Sequence, residues 1–165
     1  MISRAARFGI AAAVLGLDRL TKHWIEQNVS AWDTHVVIPH VFNIIHAQNR
    51  GAAFGFLNGS DSPWRVVVVV GLSSVILCFV AWMLWKMPKG MWPVGNAAPI
   101  ALSLIFGGAA GNLLDRIWRG SVTDFLQFFI GSYEWPSFNV ADSAISTGAA
   151  LLFLVLWRSQ DTVAG

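Results

Sequence analysis

Apolar residues in this chain gather into long unbroken runs rather than into the alternations or three-four spacings of a water-exposed fold. Val66–Trp85 holds 20 residues without a charge. Met91–Leu114 holds 24, with Pro93 and Pro99 confined to the opening turns, where a helix tolerates them. Trp135–Trp157 holds 23 and is interrupted only by Asp142. Crossing a hydrocarbon core of roughly 30 Å takes about 20 helical residues. The runs therefore predict spans over about residues 66–85, 95–114 and 138–157. The first apolar run, Phe8–Leu17, is ten residues long and follows Arg4 and Arg7, which is how a secretory signal peptide opens. No small-x-small cleavage site follows it; Asp18, Arg19 and Leu20 come next. Continued to Ile25, the helix reaches 18 residues with three charges, and Asp18 and Lys22 share a face where they can neutralise each other. A retained helix over about residues 8–25 is expected, giving four spans in one domain over residues 1–165.

The connection between the first two spans reads differently. Val36-Val37-Ile38 and Val41-Phe42-Asn43-Ile44-Ile45 are β-branched and aromatic runs parted by Pro39-His40, and residues 58–63 form a turn cluster. A small sheet within about residues 30–62, lying on the outer membrane surface, is the expectation. The fold class is then an all-α membrane bundle of four helices carrying that sheet. Four spans put both ends on one side. The basic residues divide five (Arg4, Arg7, Lys86, Lys89, Arg158) against six (Arg19, Lys22, Arg50, Arg65, Arg116, Arg119), so the positive-inside rule is nearly silent. Counting only short flanks and the tight 86–94 turn places both termini in the cytoplasm.

Composition strengthens the membrane reading. The chain is 55% hydrophobic and 12% charged with a mean hydropathy of +0.57, where soluble domains carry about a quarter charged residues. Trp24, Trp64, Trp85, Trp92, Trp118, Trp135 and Trp157 stand near the ends of apolar runs, where an indole buries its body and keeps its N–H wet. A net charge of +2 with no basic block gives nucleic acid no footing. Cys78 is the only cysteine and can form no internal disulfide.

Polar residues within or beside membrane helices are costly, so each raises a functional question. Gly107-Gly108-Ala109-Ala110-Gly111-Asn112-Leu113-Leu114-Asp115-Arg116 closes the third run, with Asn112, Asp115 and Arg116 spaced to share one helical face. Val122-Thr123-Asp124-Phe125 lies just beyond, and Phe138-Asn139-Val140-Ala141-Asp142 opens the fourth run. If the last two spans are neighbours, Asp124 and Asp142 arrive at one membrane depth. Two close carboxylates cannot both ionise readily, so the pair holds an acid and a base together. One can deprotonate water while the other protonates a carbonyl or leaving amine. Plainer roles stand beside this one. Gly107-xxx-Gly111 is also a helix-packing motif, Asp115–Arg116 and Asp18–Lys22 read as structural ion pairs, and Asp142 alone suits a helix N-terminus. His23, His35, His40 and His46 form no zinc spacing, no serine sits in a GxSxG turn, and no phosphate-binding loop occurs.

Together these motifs resemble those of bacterial lipoprotein signal peptidase, signal peptidase II. The likeness runs through Asp18 with Lys22, Asn49-Arg50-Gly51-Ala52-Ala53-Phe54, and the three clusters above, in order along nearly the whole chain. The resemblance implies an aspartyl endopeptidase that removes the signal peptide of diacylglyceryl-modified prolipoproteins, cutting just before the lipidated cysteine. It implies Asp124 and Asp142 as the catalytic pair and Asn49, Asn112, Arg116 and Asn139 as substrate-holding residues. Asp18, Lys22, Gly51, Gly108 and Asp115 would support the architecture. It further implies inhibition by globomycin, no metal, no cofactor, contact with membrane lipids, a monomer, and an extracytoplasmic β-cradle. The expected location is the bacterial cytoplasmic (inner) membrane, with the active site near the outer leaflet. Two rival readings are a proton-coupled transporter using the same carboxylates and a non-catalytic scaffold packed through Gly107 and Gly111.

Overall fold

A computed structural model describes residues 2–31, 33–51, 64–87 and 96–161. Residues 52–54 of the Asn49–Phe54 motif, the 58–63 turn cluster, and the 88–95 connection with Lys89 and Trp92 lie outside the described residues. In chain order the elements are α1 (Arg4–Asn28), β1 (Thr34–Ile38), β2 (Phe42–Asn49), α2 (Trp64–Lys86), α3 (Ala97–Arg119), β3 (Val122–Ile130), β4 (Tyr133–Glu134) and α4 (Val140–Asp161). The molecule is mostly helical with one small antiparallel sheet.

Among the described residues, three helices are long and apolar enough to cross a membrane: Val66–Lys86, Ala97–Arg119 and Val140–Ser159. Helix α1 falls outside that group although its 25 residues exceed the length a span requires. Its hydropathy is lowered by charges that turn inward: Asp18 and Lys22 are fully buried, while Leu17, Leu20 and Trp24 face outward. Averaging along the chain cannot separate those two faces.

Helix α3 is the central post, packed on α1, α2 and α4. Close approach explains its small residues. A β-carbon at Gly107 would lie 2.6 Å from the Ala11 carbonyl oxygen, and one at Gly108 would lie 2.9 Å from Ile145 Cγ1 and closer still to the Ala141 carbonyl. At Gly111 it would meet the Asp18 carboxylate at 2.5 Å. The glycine stripe therefore does pack helices, and through it the polar residues of α1, α3 and α4 come within hydrogen-bonding range. Helix α3 ends where Gly120 adopts a left-handed conformation (φ 71°) and its N–H donates to the Arg116 carbonyl at 3.0 Å.

The sheet corrects the expected boundaries. Its strand order is β1-β2-β3-β4, so it is not confined to residues 30–62 but continues through the segment after α3. Asp124, just beyond the end of α3, thus lies on a strand, paired across from Ala47 of β2. The β-branched and aromatic residues of 122–130, bounded by Gly120-Ser121 and Gly131-Ser132, carried this signal. Phe125 ties the sheet to the bundle by packing with Ile25 and Val29.

Gly108→Val is expected to cost about 1–3 kcal/mol through overpacking against α4. Gly9→Ala, where nothing lies within 4 Å, should be neutral or slightly stabilising. Thermal unfolding of both variants in one detergent checks the contrast.

Candidate active site

The site is built around the start of α4. The first turn of a helix leaves backbone N–H groups with no partner inside the helix. The Asp142 N–H donates to Asn139 Oδ1 at 2.9 Å, and the Asn139 N–H donates back to Asp142 Oδ2 at 3.2 Å. This is a reciprocal capping box with Asp in place of the usual Glu. A third N–H of that turn, on Ala141, donates to Asp18 Oδ1 at 3.0 Å. Asp142 therefore has a structural duty at the helix N-terminus, and a second oxygen left to face elsewhere.

The cap also orients Asn139. With Oδ1 committed to Asp142, the Nδ2 group points the other way and donates to Asp124 Oδ1 at 2.7 Å. Asn139 is fully buried and touches both aspartates. The other Asp124 oxygen accepts from Asn49 Nδ2 at 3.1 Å. Asn49 stands two residues beyond Ala47, the cross-strand partner of Asp124, so the two side chains share a face of the sheet. Burial pushes the Asp124 carboxyl up to about 6, and the negative charge of Asp142 pushes the same way. The hydrogen bonds from Asn49 and Asn139 and the positive charge of Lys22 oppose that rise.

From α3, Asn112 Nδ2 donates to Asp142 Oδ1 at 2.7 Å. Its neighbours do not behave as a single unit. Asp115 does not pair with Arg116, as the sequence suggested; it pairs with Arg19 and, at 2.8 Å, with Lys22, both on α1. Arg116 turns instead to the carbonyl of Gly51 at 2.9 Å, anchoring the exit of β2. The expected Asp18–Lys22 pair forms at 2.8 Å. Arg19 was noted in the sequence only as a charge, and Glu26, which pairs with Arg119 and accepts from the Thr123 hydroxyl, was missed. Partners more than 90 residues apart in the chain leave no local spacing to read.

Asp124 and Asp142 open onto one cavity of about 620 Å³. Asn49, Asn112 and Arg116 supply its polar wall, while Val69 and Ile145 are among its apolar lining. Lys22, Asp18 and Asp115 are fully buried behind Asn112 and away from that lining. Among the described residues, no three of His, Cys, Asp and Glu are grouped as metal ligands.

A family model described as signal peptidase (SPase) II matches residues 10–158. The lipoprotein signal peptidase of Solibacter usitatus is 48% identical over 153 residues, which cover 93% of this chain and 91% of that protein. That of Maridesulfovibrio salexigens is 37% identical, covering 92% and 94% respectively. Among solved structures, a bacterial membrane enzyme determined in meso at 2.3 Å aligns with a TM-score of 0.83 at 31% identity, covering 96% of this chain and 91% of the other.

The raised Asp124 carboxyl has a consequence for stability. An acid that holds its proton more tightly in the native state than in the unfolded state makes the native state less favoured as pH rises. The loss begins above the ordinary value of 3.8 and is complete above about 6. The stability difference between pH 4 and pH 7.5 should therefore shrink in Asp124→Asn relative to the parent, by at most about 3 kcal/mol. Chemical denaturation at the two pH values in the same detergent measures it.

Proposed function

This chain belongs to the signal peptidase II family, and we propose that it removes the signal peptide from diacylglyceryl-modified prolipoproteins by a two-aspartate, metal-independent mechanism. The observation that carries the mechanism is Asn139, whose side-chain amide donates to Asp124 while its backbone N–H donates to Asp142. One rigid residue thereby holds both carboxyls against a single cavity.

The chemistry follows from their environments. Asp124, whose carboxyl burial raises to about 6, is assigned the part of the acid, and Asp142, in the first turn of α4, the part of the base. Asp142 removes a proton from water as the water oxygen bonds to the scissile carbonyl carbon. Asp124 gives its proton to the carbonyl oxygen, leaving a neutral tetrahedral diol. As the C–N bond breaks, Asp142 passes its proton to the departing nitrogen and Asp124 recovers one from a diol hydroxyl. Both carboxyls end as they began. Asn49, Asn112 and Arg116, on the polar wall, are placed to hold the substrate backbone.

The position of the site suits a substrate anchored in lipid. Trp24, Trp64, Trp118 and Trp135 are exposed at the end of the molecule that carries the aspartates, while Trp85 and Trp157 are exposed at the other. Two aromatic girdles separated by apolar helices support a multi-pass orientation. We take α1 as the fourth span, its charges shielded by α3 and α4, with both termini cytoplasmic in the bacterial inner membrane and the site near the outer leaflet. A diacylated cysteine sits at that depth. The same reading carries a monomeric enzyme in contact with membrane lipids, without cofactor and inhibited by globomycin. The transporter alternative is not supported: both carboxyls lie at element ends, and α2 offers little polarity beyond Ser73 and Ser74.

Purified protein should cleave a diacylglyceryl prolipoprotein in a gel-shift assay, with or without EDTA. Asp124→Asn and Asp142→Asn should each lower the rate by at least about 10²-fold while the protein stays folded. Unchanged cleavage in both variants would refute the mechanism, and loss on chelation would refute its metal independence. Asn112→Ala should slow turnover by roughly 10²-fold without abolishing it.

A further inference from the structure

We propose that Lys22 is a positioning residue for the cleavage step, acting through the side-chain amide of Asn112. The inference rests on the reading of Asp142 as catalytic and goes beyond a supporting role for Lys22. Burying an ammonium is costly unless it is paired and hydrogen-bonded. Lys22 is fully buried, and its Nζ lies 2.8 Å from Asp18 Oδ2, 2.8 Å from Asp115 Oδ2 and 2.9 Å from Asn112 Oδ1. The ammonium donates hydrogen bonds to Asp18 Oδ2 and Asn112 Oδ1, while Asp115 Oδ2 faces it as an ion-pair contact without a hydrogen bond.

Charge balance alone does not require the third contact. Asp18 and Asp115 are matched by Lys22 and Arg19, which leaves the cluster neutral without Asn112. The third contact constrains the amide. A primary amide can sit either way round unless its neighbours distinguish oxygen from nitrogen. Here Lys22 Nζ and, more distantly at 3.3 Å, Asn139 Nδ2 both point donors at one end of Asn112. The other end faces Asp142 Oδ1 at 2.7 Å. Turned over, the amide would set its N–H groups against two donors and its oxygen against a carboxylate. Lys22 therefore commits the Asn112 N–H to Asp142, from a position on α1 that lies outside the substrate cavity.

The consequence is a coupling that simple packing would not produce. Asp18→Asn/Lys22→Met removes one charge of each sign and leaves the Asp115–Arg19 pair in place. In that variant kcat should fall about 10-fold with KM within about twofold of the parent, because the lost element is an oriented hydrogen bond near the reacting water. Adding Asn112→Ala should then lower kcat by no more than it does in the parent divided by that same factor, so the two changes are strongly non-additive. Multiplicative effects, or a change confined to KM, would overturn the proposal. If the paired variant does not fold, Asn112→Asp serves instead. Lys22 then meets a carboxylate and the core stays paired, but no N–H reaches Asp142, and kcat should fall as far as in Asn112→Ala. Retention of kcat within threefold of the parent would equally overturn it. Loss of activity on Asp142→Asn together with additive Lys22 and Asn112 effects would leave the aspartyl mechanism standing and remove only this proposal.

Discussion

Where water is excluded, each polar group must find its partner inside the protein, and at the start of α4 that requirement and the chemistry meet. The unpaired N–H groups of the first turn are answered by Asn139 Oδ1 and by the Asp18 carboxylate from α1. Because Asn139 uses its oxygen for the cap, its nitrogen is free for Asp124 on β3. A backbone constraint common to all helices thus fixes the relative placement of two carboxyls from separate elements. Removing the cap would loosen a helix end and separate the two aspartates in one step.

The architecture serves this junction. Glycines on α3 let α1 and α4 approach closely enough for side chains as short as Asp18 and Asn112 to reach across. The sheet performs the matching task on the other side. It holds Asp124 on a strand whose neighbour supplies Asn49, and Phe125 locks that strand to α1. Asp124 is thereby buried beside a like charge, in surroundings that raise its hold on a proton. The cavity remains lined by apolar side chains from α2 and α4, as a lipid-anchored substrate would need.

Much of this was legible in the sequence, for identifiable reasons. Apolar runs longer than any soluble helix needs betrayed α2, α3 and α4, and the Asn-x-x-Asp spacing at 139–142 marked two residues that do interact. Asp142 suited a helix N-terminus from the sequence, but its reciprocal bonding with Asn139 was not visible, because that depends on where the helix begins. Strand β3 was missed because its pairing partner lies about 80 residues away, out of reach of any local pattern. Asp115 was assigned to its chain neighbour Arg116, yet adjacent helical residues diverge by a wide angle, and its partners came from α1. Local spacing reports faces of one element; it does not report which element will cover them.

The central claim is that Asp124 and Asp142 occupy one site and feel each other's charge. Isotope-edited infrared titration of aspartate carboxyl stretches tests it directly. The account predicts a protonated carboxyl that titrates at about 6, disappears in Asp124→Asn, and titrates at lower pH in Asp142→Asn, where the like charge is gone. An Asp124 carboxyl that ionises in the ordinary range, or one indifferent to Asp142, would contradict it.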